Sequence, residues 1–528
     1  MIKGKSNLVF VVAMALGLTA CSGGPPAGDG KTIADGTFTY ALSSDPGTLD
    51  PHRSSGQPAS EAVKFLYGRM IDLDARGTAI PYLAREWTAD TVTAKFTLRP
   101  DLTCADGSPL TATTVADNFN YVGDPAKASS LLGRVVQPRT TAKGDDAAGT
   151  VTVTSGVPDA FLLRNLGSLP IVCAKGLQNR DLLKQGGQGT GLYTMTDAVP
   201  NDHYTLTRRD NVTWGPGDWA PTKPGVPAKV VMRVIPTEAT SANLLLSGEI
   251  NAAPVLGPDR TRLKARGLFN SGNQLITGEL VFNQAEGRPA KDRAVRGALT
   301  QALDLGQLRK VLTGGDGEQP KTLVGVPPSP CSGDSVSGKL PKFDLGAAKT
   351  ALDQAGWGAG PGGVRTKGGQ PLKLTLVYLT HFGPTHASTA ELIRRSWIDL
   401  GVDVTLKGVD ASGFNSTLFG GAGDWDVVMS AVGGTLPTYL VPYVSGPVPP
   451  KGTNFGHVDN PDYQAAVKQA STRTGADGCT NWAAAEGALV GNVDLVPFAT
   501  SPYLVFGHGA QFGLHGNFLD PASIRLHE

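Results

Sequence analysis

The sequence predicts an α/β fold with more than one domain, and three observations support this. The chain has 528 residues, too many for a single ordinary hydrophobic core. Residues 37–42 alternate like a half-buried strand, and an apolar helical stripe follows at residues 62–70. Residues 372–379, 390–400 and 402–406 have the patterns of a strand, a helix and a strand. This order predicts two parallel strands joined by a right-handed crossover.

The composition is that of a globular protein, with 40% hydrophobic and 18% charged residues. The formal net charge is +1, and no run of basic residues is present. A protein with this charge balance has no field that would attract a polyanion, so we predict no nucleic-acid partner.

The amino terminus has the layout of a secretory signal. Lys3 and Lys5 precede an apolar run at residues 8–18 that is too short to span a bilayer comfortably. The run ends in Leu-Thr-Ala-Cys, which resembles a bacterial lipobox. We therefore predict a signal peptide at residues 1–20, lipidation of Cys21, and a flexible Gly/Pro/Ser-rich tether at residues 21–36. An ordinary signal peptide with an incidental cysteine is the alternative.

The cysteines predict two disulfides. Five are present, and four remain when Cys21 is set aside: Cys104, Cys173, Cys331 and Cys479. An even number in an exported chain favours disulfides, although the sequence leaves three pairings open. Metal binding is disfavoured because the chain has no Cys-x-x-Cys motif and no Cys/His cluster.

The common catalytic motifs are absent from the sequence. It contains no Gly-x-Ser-x-Gly elbow, no His-Glu-x-x-His motif and no Walker-type loop. The eight histidines are scattered, and we interpret them as loop or surface residues. We therefore predict a protein that is not an enzyme, with no cofactor and no metal site.

Two groups of short motifs occur in a fixed order. The first group is Thr-Leu-Asp-Pro-His at residues 48–52, Pro-Tyr-Leu-Ala-Arg-Glu-Trp at 81–87, Phe-Thr-Leu-Arg at 96–99 and Asp-Gly-Ser-Pro-Leu-Thr-Ala at 106–112. The second group runs over residues 283–304, with Asn283, Pro289, Asp292, Val295-Arg296 and Ala302-Leu303-Asp304. This order resembles that of the extracellular solute-binding proteins of family 5, the oligopeptide/dipeptide/nickel class, which deliver ligands to ABC importers.

The resemblance implies a class II periplasmic-binding-protein-like fold. This is an α/β clamp of two lobes with mixed sheets and an extra subdomain in the first lobe. The implied boundaries are lobe I at 37–82 and 185–275, its subdomain at 83–184, lobe II at 276–500, and a return to lobe I at 501–528. Hinge strands are expected near residues 276–283 and 499–505. Given these lobes, we expect the disulfides Cys104–Cys173 and Cys331–Cys479, each within one lobe.

Ligands of α/β domains bind at loops beyond the carboxyl ends of strands, in the crevice between lobes. By resemblance, the ligand-lining segments of this chain include nine candidate residues: Ser55, Gln57, Leu131, His381, His386, Asp410, Gly434, Thr435 and Tyr439. Closure of the lobes about the hinge would trap the ligand.

One segment departs from the family pattern. Peptide-binding members follow the strand at Asp426 with Trp-x-x-Asp-Tyr, in which the aspartate pairs with the α-ammonium group of the peptide. Residues 431–437 read Ala-Val-Gly-Gly-Thr-Leu-Pro and lack both Trp and Asp. We hypothesise a ligand that is not an ordinary zwitterionic peptide, or an anchor supplied by another acid such as Asp410.

The sequence therefore predicts a lipid-anchored, monomeric substrate-binding protein of an ABC importer for a peptide or peptide-like solute. Its expected partners are the permease and ATPase subunits, and its expected location is the outer face of the cell membrane. The alternative is an envelope lipoprotein that has kept the fold but has a regulatory or scaffold role in cell-wall or glycolipid assembly. An exported hydrolase is a third option.

Overall fold

The computed structural model describes Met1 and residues 31–528, apart from nine positions: Ser55, Ala75, Gln185, Asp218, His381, Phe382, Gly421, Ala422 and Gly433. The signal peptide and Cys21 of the sequence prediction lie outside the described residues. None of the helices in the described part of the chain has the length and apolar character needed to cross a membrane.

Strands and helices are distributed along the whole described chain. The strands are β1 Thr37–Leu42, β2 Ile71–Leu73, β3 Ala79–Pro81, β4 Ala84–Ala89, β5 Thr93–Leu98, β6 Thr141–Asp145, β7 Thr150–Thr154, β8 Tyr193–Val199, β9 His203–Arg208, β10 Lys229–Val234, β11 Ala252–Pro254, β12 Phe269–Phe282, β13 Gly358–Ala359, β14 Arg365–Lys367, β15 Gln370–Pro371, β16 Lys373–Leu379, β17 Asp403–Val409, β18 Val427–Met429, β19 Leu495–Gly507, β20 Ala510–Gln511, β21 Leu514–His515, β22 Phe518–Leu519 and β23 Arg525–Leu526. The α-helices are α1 Gln57–Leu66, α2 Ala112–Gly123, α3 Leu162–Gly167, α4 Ala174–Gln178, α5 Glu238–Ser247, α6 Asp259–Ala265, α7 Arg293–Gln301, α8 Leu305–Thr313, α9 Leu345–Gln354, α10 Pro384–Leu400, α11 Ala411–Phe419, α12 Val441–Val444, α13 Pro461–Ala470 and α14 Cys479–Gly491.

One mixed sheet runs through the molecule in the order β17-β16-β18-β12-β19-β11-β1-β10-β9-β8. We call the half from β11 to β8, with the elements packed on it, the first lobe. The half from β18 to β17, with its helices, is the second lobe. The four-stranded sheet β4-β5-β7-β6 is separate and belongs to the first lobe. The observed architecture is therefore a two-lobed α/β clamp, as the sequence predicts.

Two long antiparallel strands connect the lobes. β12 and β19 pair from Phe269–Gly507 to Val281–Leu495, and the register shifts at Gly278. In the first lobe β19 also pairs with β11, and in the second lobe β12 also pairs with β18. Because both strands continue from one lobe into the other, they form the hinge of the clamp. The expected hinge segment 499–505 lies within β19, and the segment 276–283 lies in β12 apart from Asn283, which follows the end of the strand.

Each half of the sheet is covered by apolar side chains on both faces. In β1, Phe38, Tyr40 and Leu42 pack into one core and Ala41 into the core on the opposite face. In β12, Leu280 and Val281 likewise contribute to two different cores of the second lobe. Burial on both faces explains why each lobe is a stable layered unit.

The predicted strand–helix–strand unit of the second lobe is confirmed. β16 and β17 pair in parallel, from Lys373–Asp403 to Leu379–Val409. Helix α10 joins them and ends at Gly401, whose φ of +94° places it in the left-handed region that suits glycine. Helix α5 follows Thr237, whose hydroxyl donates to Thr240 and makes no capping hydrogen bond to the helix backbone.

Both expected disulfides are confirmed. Cys104 bonds to Cys173 in the first lobe, and Cys331 bonds to Cys479 in the second. The second bridge ties the loop that contains Pro328 to the start of α14.

Candidate functional site

A cavity of about 180 Å³ lies between the two lobes. Its walls come from β2, α3 and the β21–β22 hairpin of the first lobe, and from two loops of the second lobe. The lining residues are Arg69, Ile71, Asp72, Leu73, Arg164, Asn165, Ser168, Pro328, Thr435, Leu436, Tyr439, His515, Gly516 and Phe518. A cavity with walls from both lobes is enclosed only when the clamp is shut.

Helix α3 places an arginine in this cavity. Leu162 and Leu166, four residues apart, are buried in the core of the first lobe. Arg164 is offset from both leucines by two positions, about 200° around the helix axis, and therefore lies on the opposite face. Arg164 and the C-cap residue Ser168, four positions later, both line the cavity.

A tight hairpin supplies two further side chains. β21 and β22 pair with His515 opposite Phe518, and Gly516 in the turn has a φ of +62°. Residues opposite each other in an antiparallel pair project to the same face, so both rings line the cavity. Backbone hydrogen bonds hold the hairpin on both sides. Leu519 N donates to Glu61 of α1, and Gly516 N donates to the Pro327 carbonyl of the second lobe at 3.1 Å.

A buried charge network lies at the first-lobe wall. Arg69 Nη2 donates to Asp72 Oδ2 at 3.0 Å, and His515 Nδ1 lies 3.2 Å from Asp72 Oδ1. Burial alone would raise the pKa of Asp72, but the charge of Arg69 and the contact with His515 hold it below its ordinary value. Burial, followed by repulsion from Arg69, lowers the pKa of Lys64 to about 8.

The same network contains a group with the composition of a metal site. Ligand atoms of Asp72, His515 and Asp520 lie within 4.8 Å of one another. Arg69 already occupies one oxygen of Asp72, and Lys64 is close enough to affect the titration of the pair. Because these two cations compensate the carboxylates, we interpret the group as an ion-pair network of the first lobe.

Arg164 has no comparable partner. Its Nη2 donates to the Pro328 carbonyl at 2.5 Å, and its Nη1 is buried without a hydrogen-bond partner. No carboxylate of the described chain lies within ion-pair distance of this guanidinium, and burial lowers its pKa. Arg69 Nε is also buried and unpartnered. Two N–H donors of guanidinium groups that line the cavity therefore make no hydrogen bond within the described structure.

The lobes also touch through an apolar cluster beside the cavity. Phe161 of the first lobe packs on Trp482 of the second, with ring centroids 6.0 Å apart, and Ala160 and Leu436 extend the contact. Gly475 N donates to the Ala160 carbonyl at 2.7 Å. These contacts define a closed conformation of the clamp.

Two of the predicted ligand residues, Thr435 and Tyr439, line the cavity. Gly434 is next to them, and a Cβ added to it would come within 2.8 Å of Tyr439 Cβ. The close approach of the loop to Tyr439 thus depends on a glycine at this position.

The structure places the other described candidates elsewhere. Gln57 hydrogen-bonds Tyr503 and lines a separate cavity of the first lobe. Leu131 packs against the first-lobe core, His386 is buried in α10, and Asp410 caps α11 by accepting from Gly413 N at 2.7 Å. Ser55 and His381 lie outside the described residues. A ligand role for these residues remains a prediction.

The loop at residues 431–437 lacks the family's Trp and Asp, and a different acid, Glu279 of β12, contacts it. Asp426 accepts from Thr375 N and from Arg288, a structural arrangement within the second lobe. Glu279 of β12 is fully buried and accepts from Val432 N at 3.0 Å, while its Oε2 has no partner in the described part of the chain. Burial raises the pKa of Glu279 to about 8.

Sequence reasoning missed Arg69, Asp72, Arg164, His515 and Phe518 as cavity residues. The sequence does contain an indication for Arg164, because it is the single charged residue at positions 160–167, where the other residues are apolar apart from one asparagine. A charge in a segment that must be buried needs a partner or a ligand. The others carry no local signal.

The fold and the interlobe cavity define a two-lobed solute-binding protein. The model of the family described as bacterial extracellular solute-binding proteins, family 5 (middle) matches residues 78–446, and the chain belongs to this family.

Individual relatives agree with this assignment. The periplasmic murein peptide-binding protein MppA of Escherichia coli is 26% identical over 471 residues, 82% of this chain and 81% of the relative. Protein XP55 of Streptomyces lividans is 30% identical over 378 residues, 70% of this chain and 66% of the relative. A substrate binding protein from Microbacterium hydrocarbonoxydans, solved in complex with 4-hydroxybenzoate hydrazide, is 27% identical with a TM-score of 0.72, covering 93% of this chain and 99% of that chain.

Proposed function

We propose that this protein is the substrate-binding lipoprotein of an ABC importer. It captures a peptide or peptide-like solute in the interlobe cavity and delivers it to a membrane permease. The observation that carries the proposal is the cavity itself, which has walls from both lobes and includes Gly516, whose carbonyl accepts a hydrogen bond from Asn273 of the hinge strand β12. Such a site traps its ligand when the lobes close.

The size of the cavity supports a small solute. An engineered apolar cavity of roughly 150 Å³ holds benzene, so the cavity of about 180 Å³ has room for one ring and a few more atoms. The ligand of the Microbacterium hydrocarbonoxydans protein, one ring with an acyl hydrazide, has this scale. The name of MppA points instead to a peptide. An acyl hydrazide and a peptide share a carbonyl bonded to nitrogen, which is the chemistry that we mean by peptide-like.

Two measurements test capture and closure. Native mass spectrometry of the protein purified from its own host identifies any solute that it retains. Small-angle scattering, before and after removal of that solute by partial unfolding and refolding, reports the opening of the lobes. We expect a bound mass on the order of one to two hundred daltons, as the cavity volume allows, and a larger radius of gyration after its removal. A protein with no bound mass, whose shape is unchanged by any candidate solute, would favour the scaffold role.

Titration calorimetry with a mixed library of di- to pentapeptides tests the departure at residues 431–437. We expect weak binding of free peptides, because no carboxylate among the described residues that line the cavity is unpaired and available to an α-ammonium group. Micromolar binding that requires the free amine would contradict a non-peptide ligand.

The proposed lipid anchor needs its own experiment. Substitution Cys21→Ser removes the sulfur that would carry the diacylglyceryl group, so the protein should leave the membrane fraction and appear in the medium or periplasm. Ser22→Ala is the matched control and should stay with the membrane. Retention of the Cys21→Ser protein in the membrane fraction would contradict anchoring at this residue.

A further inference from the structure

The cavity has an unbalanced positive charge. Among the described residues that line it, Arg69 is paired with Asp72, and His515 contacts the same carboxylate. Arg164 bonds to a neutral carbonyl only. An unpaired, largely buried guanidinium is costly unless an anion compensates it. The protein nevertheless has this unpaired guanidinium in the wall of its binding cavity.

Two donors are directed to no acceptor in the described structure. Arg69 Nε and Arg164 Nη1 are both buried, and neither has a hydrogen-bond partner. Buried polar groups in native proteins are nearly always satisfied, so each exception calls for an explanation. A carboxylate, with two oxygens and several lone pairs, is the group that guanidinium donors bind best.

The described residues that line the cavity offer no comparable partner to a cation. Asp72 is the carboxylate among its lining residues, and its oxygens already accept from Arg69 and from Leu73 N. An ammonium group placed here would meet an acid whose charge is already compensated, beside the unpaired charge of Arg164. This arrangement disfavours amines and zwitterions.

Most of the remaining lining is apolar, and Asn165, Ser168 and Thr435 add polar side chains. Ile71 and Phe518 of the first lobe and Leu436 and Tyr439 of the second surround the space of about 180 Å³. Pockets of this kind bind the apolar body of a small ligand, and a few convergent polar groups orient it.

We propose that the cavity binds a small organic monocarboxylate, with an apolar body no larger than about one aromatic ring and its carboxylate held by the guanidinium groups of Arg164 and Arg69, which both line the cavity. This rests on the proposed function of solute capture between the lobes, and it replaces the peptide-like solute with a carboxylate. The ligand's anion supplies the missing partner of Arg164, and the second lobe closes over the apolar body.

Calorimetry with three probes that share one ring tests the charge preference: phenylacetate, phenylacetamide and phenethylamine. We expect the acid to bind about tenfold or more tighter than the amide, because charge-assisted hydrogen bonds are the stronger kind, and the amine to bind weakest. Equal or tighter binding of the amide or the amine would overturn the proposal. So would failure of the acid to bind at millimolar concentration.

Variants link the preference to the two arginines. Arg164→Gln should weaken phenylacetate binding at least about tenfold more than phenylacetamide binding, because it removes charge-assisted bonds that only the acid makes. Loss of the Arg164–Pro328 hydrogen bond between the lobes affects both probes alike. The matched control Arg85→Gln, at an exposed position of β4, should change neither. Arg69→Gln serves as a second variant, with circular dichroism to confirm its fold, because it also removes the partner of Asp72. Parallel loss of acid and amide binding in folded Arg164→Gln would contradict a carboxylate contact.

Failure of this inference and failure of the proposed function give different results. If a neutral or cationic solute closes the lobes in small-angle scattering, the carboxylate assignment is wrong and solute capture stands. If neither the probes nor any host-derived solute closes the lobes, both are wrong.

Discussion

Arg164 of the first lobe donates a hydrogen bond to the carbonyl oxygen of Pro328 in the second, at 2.5 Å. Two backbone hydrogen bonds also cross the gap, from Gly475 N to Ala160 O and from Gly516 N to Pro327 O. The closed clamp is therefore held by contacts of the protein itself, in addition to any made through a ligand. Ligand affinity then depends on how the open and closed populations are balanced.

The apolar contact between lobes gives the first prediction. Phe161→Ala removes the ring that packs on Trp482 and should shift the closed-to-open equilibrium toward opening by on the order of 2 kcal/mol. Small-angle scattering of the unliganded protein should show a larger radius of gyration, and solute affinity should fall. Phe343→Ala, at a side chain that is 57% exposed, is the control and should change neither. Unchanged scattering of a folded Phe161→Ala protein would show that this contact does not hold the lobes.

The fold was largely predictable because its signals are local. Strand alternation at β1 and the apolar stripe of α10 report which face of each element is buried, and that depends on neighbours a few residues away. The cavity was less predictable, because its walls come from segments separated by hundreds of residues. Thr435 and Tyr439 were found through family resemblance, whereas His515 reaches the cavity only through a two-residue turn at Gly516.

The buried carboxyl of Glu279 predicts a pH effect on stability. Its folded-state pKa of about 8 lies above the ordinary value of 4.5, so between these values the folded protein holds a proton that the unfolded chain has lost. The contribution of this group to stability is therefore fully present below pH 4.5 and is lost as the pH rises toward 8. Glu279→Gln keeps the acceptor for Val432 N and cannot ionise.

Urea unfolding at several pH values measures this effect. From pH 5 to pH 8, the unfolding free energy of Glu279→Gln should rise by a few kcal/mol relative to that of the parent. This corresponds to about 1.4 kcal/mol for each pH unit over which only the folded protein holds the proton. Glu86→Gln, at an exposed carboxyl of β4, is the matched control. A difference for Glu279→Gln that does not vary with pH would mean that the carboxyl is ionised in the folded protein.

The two disulfides should differ in their effect on binding. Removing either pair by double substitution to serine should lower stability by about 2–5 kcal/mol, because each bridge closes a long loop in the unfolded chain. Cys331–Cys479 spans 148 residues and anchors the loop that carries Pro328, a cavity residue. Its loss should therefore also weaken solute binding, by about tenfold if Pro328 becomes mobile. Cys104–Cys173 is the matched comparison, and calorimetry at a temperature where both variants are folded should show unchanged binding for that pair. Equal effects on binding would contradict a specific role for the Pro328 loop.

The second motif group of the sequence contains Arg296, which the structure shows to be a stabilising residue remote from the cavity. Its side chain is 2% exposed and pairs with Asp494 at 3.0 Å. It also donates to four carbonyl oxygens, those of Ala290, Lys291, Asn492 and Val493.

A lysine has one charged nitrogen and cannot reach acceptors on several sides, so Arg296→Lys should cost on the order of 3 kcal/mol of unfolding free energy. Arg293→Lys, on the exposed side of the same helix, should cost less than about 0.5 kcal/mol. Because the network touches no cavity residue, the folded Arg296→Lys protein should bind solute with unchanged affinity, and weakened binding in calorimetry would show that this network influences the cavity.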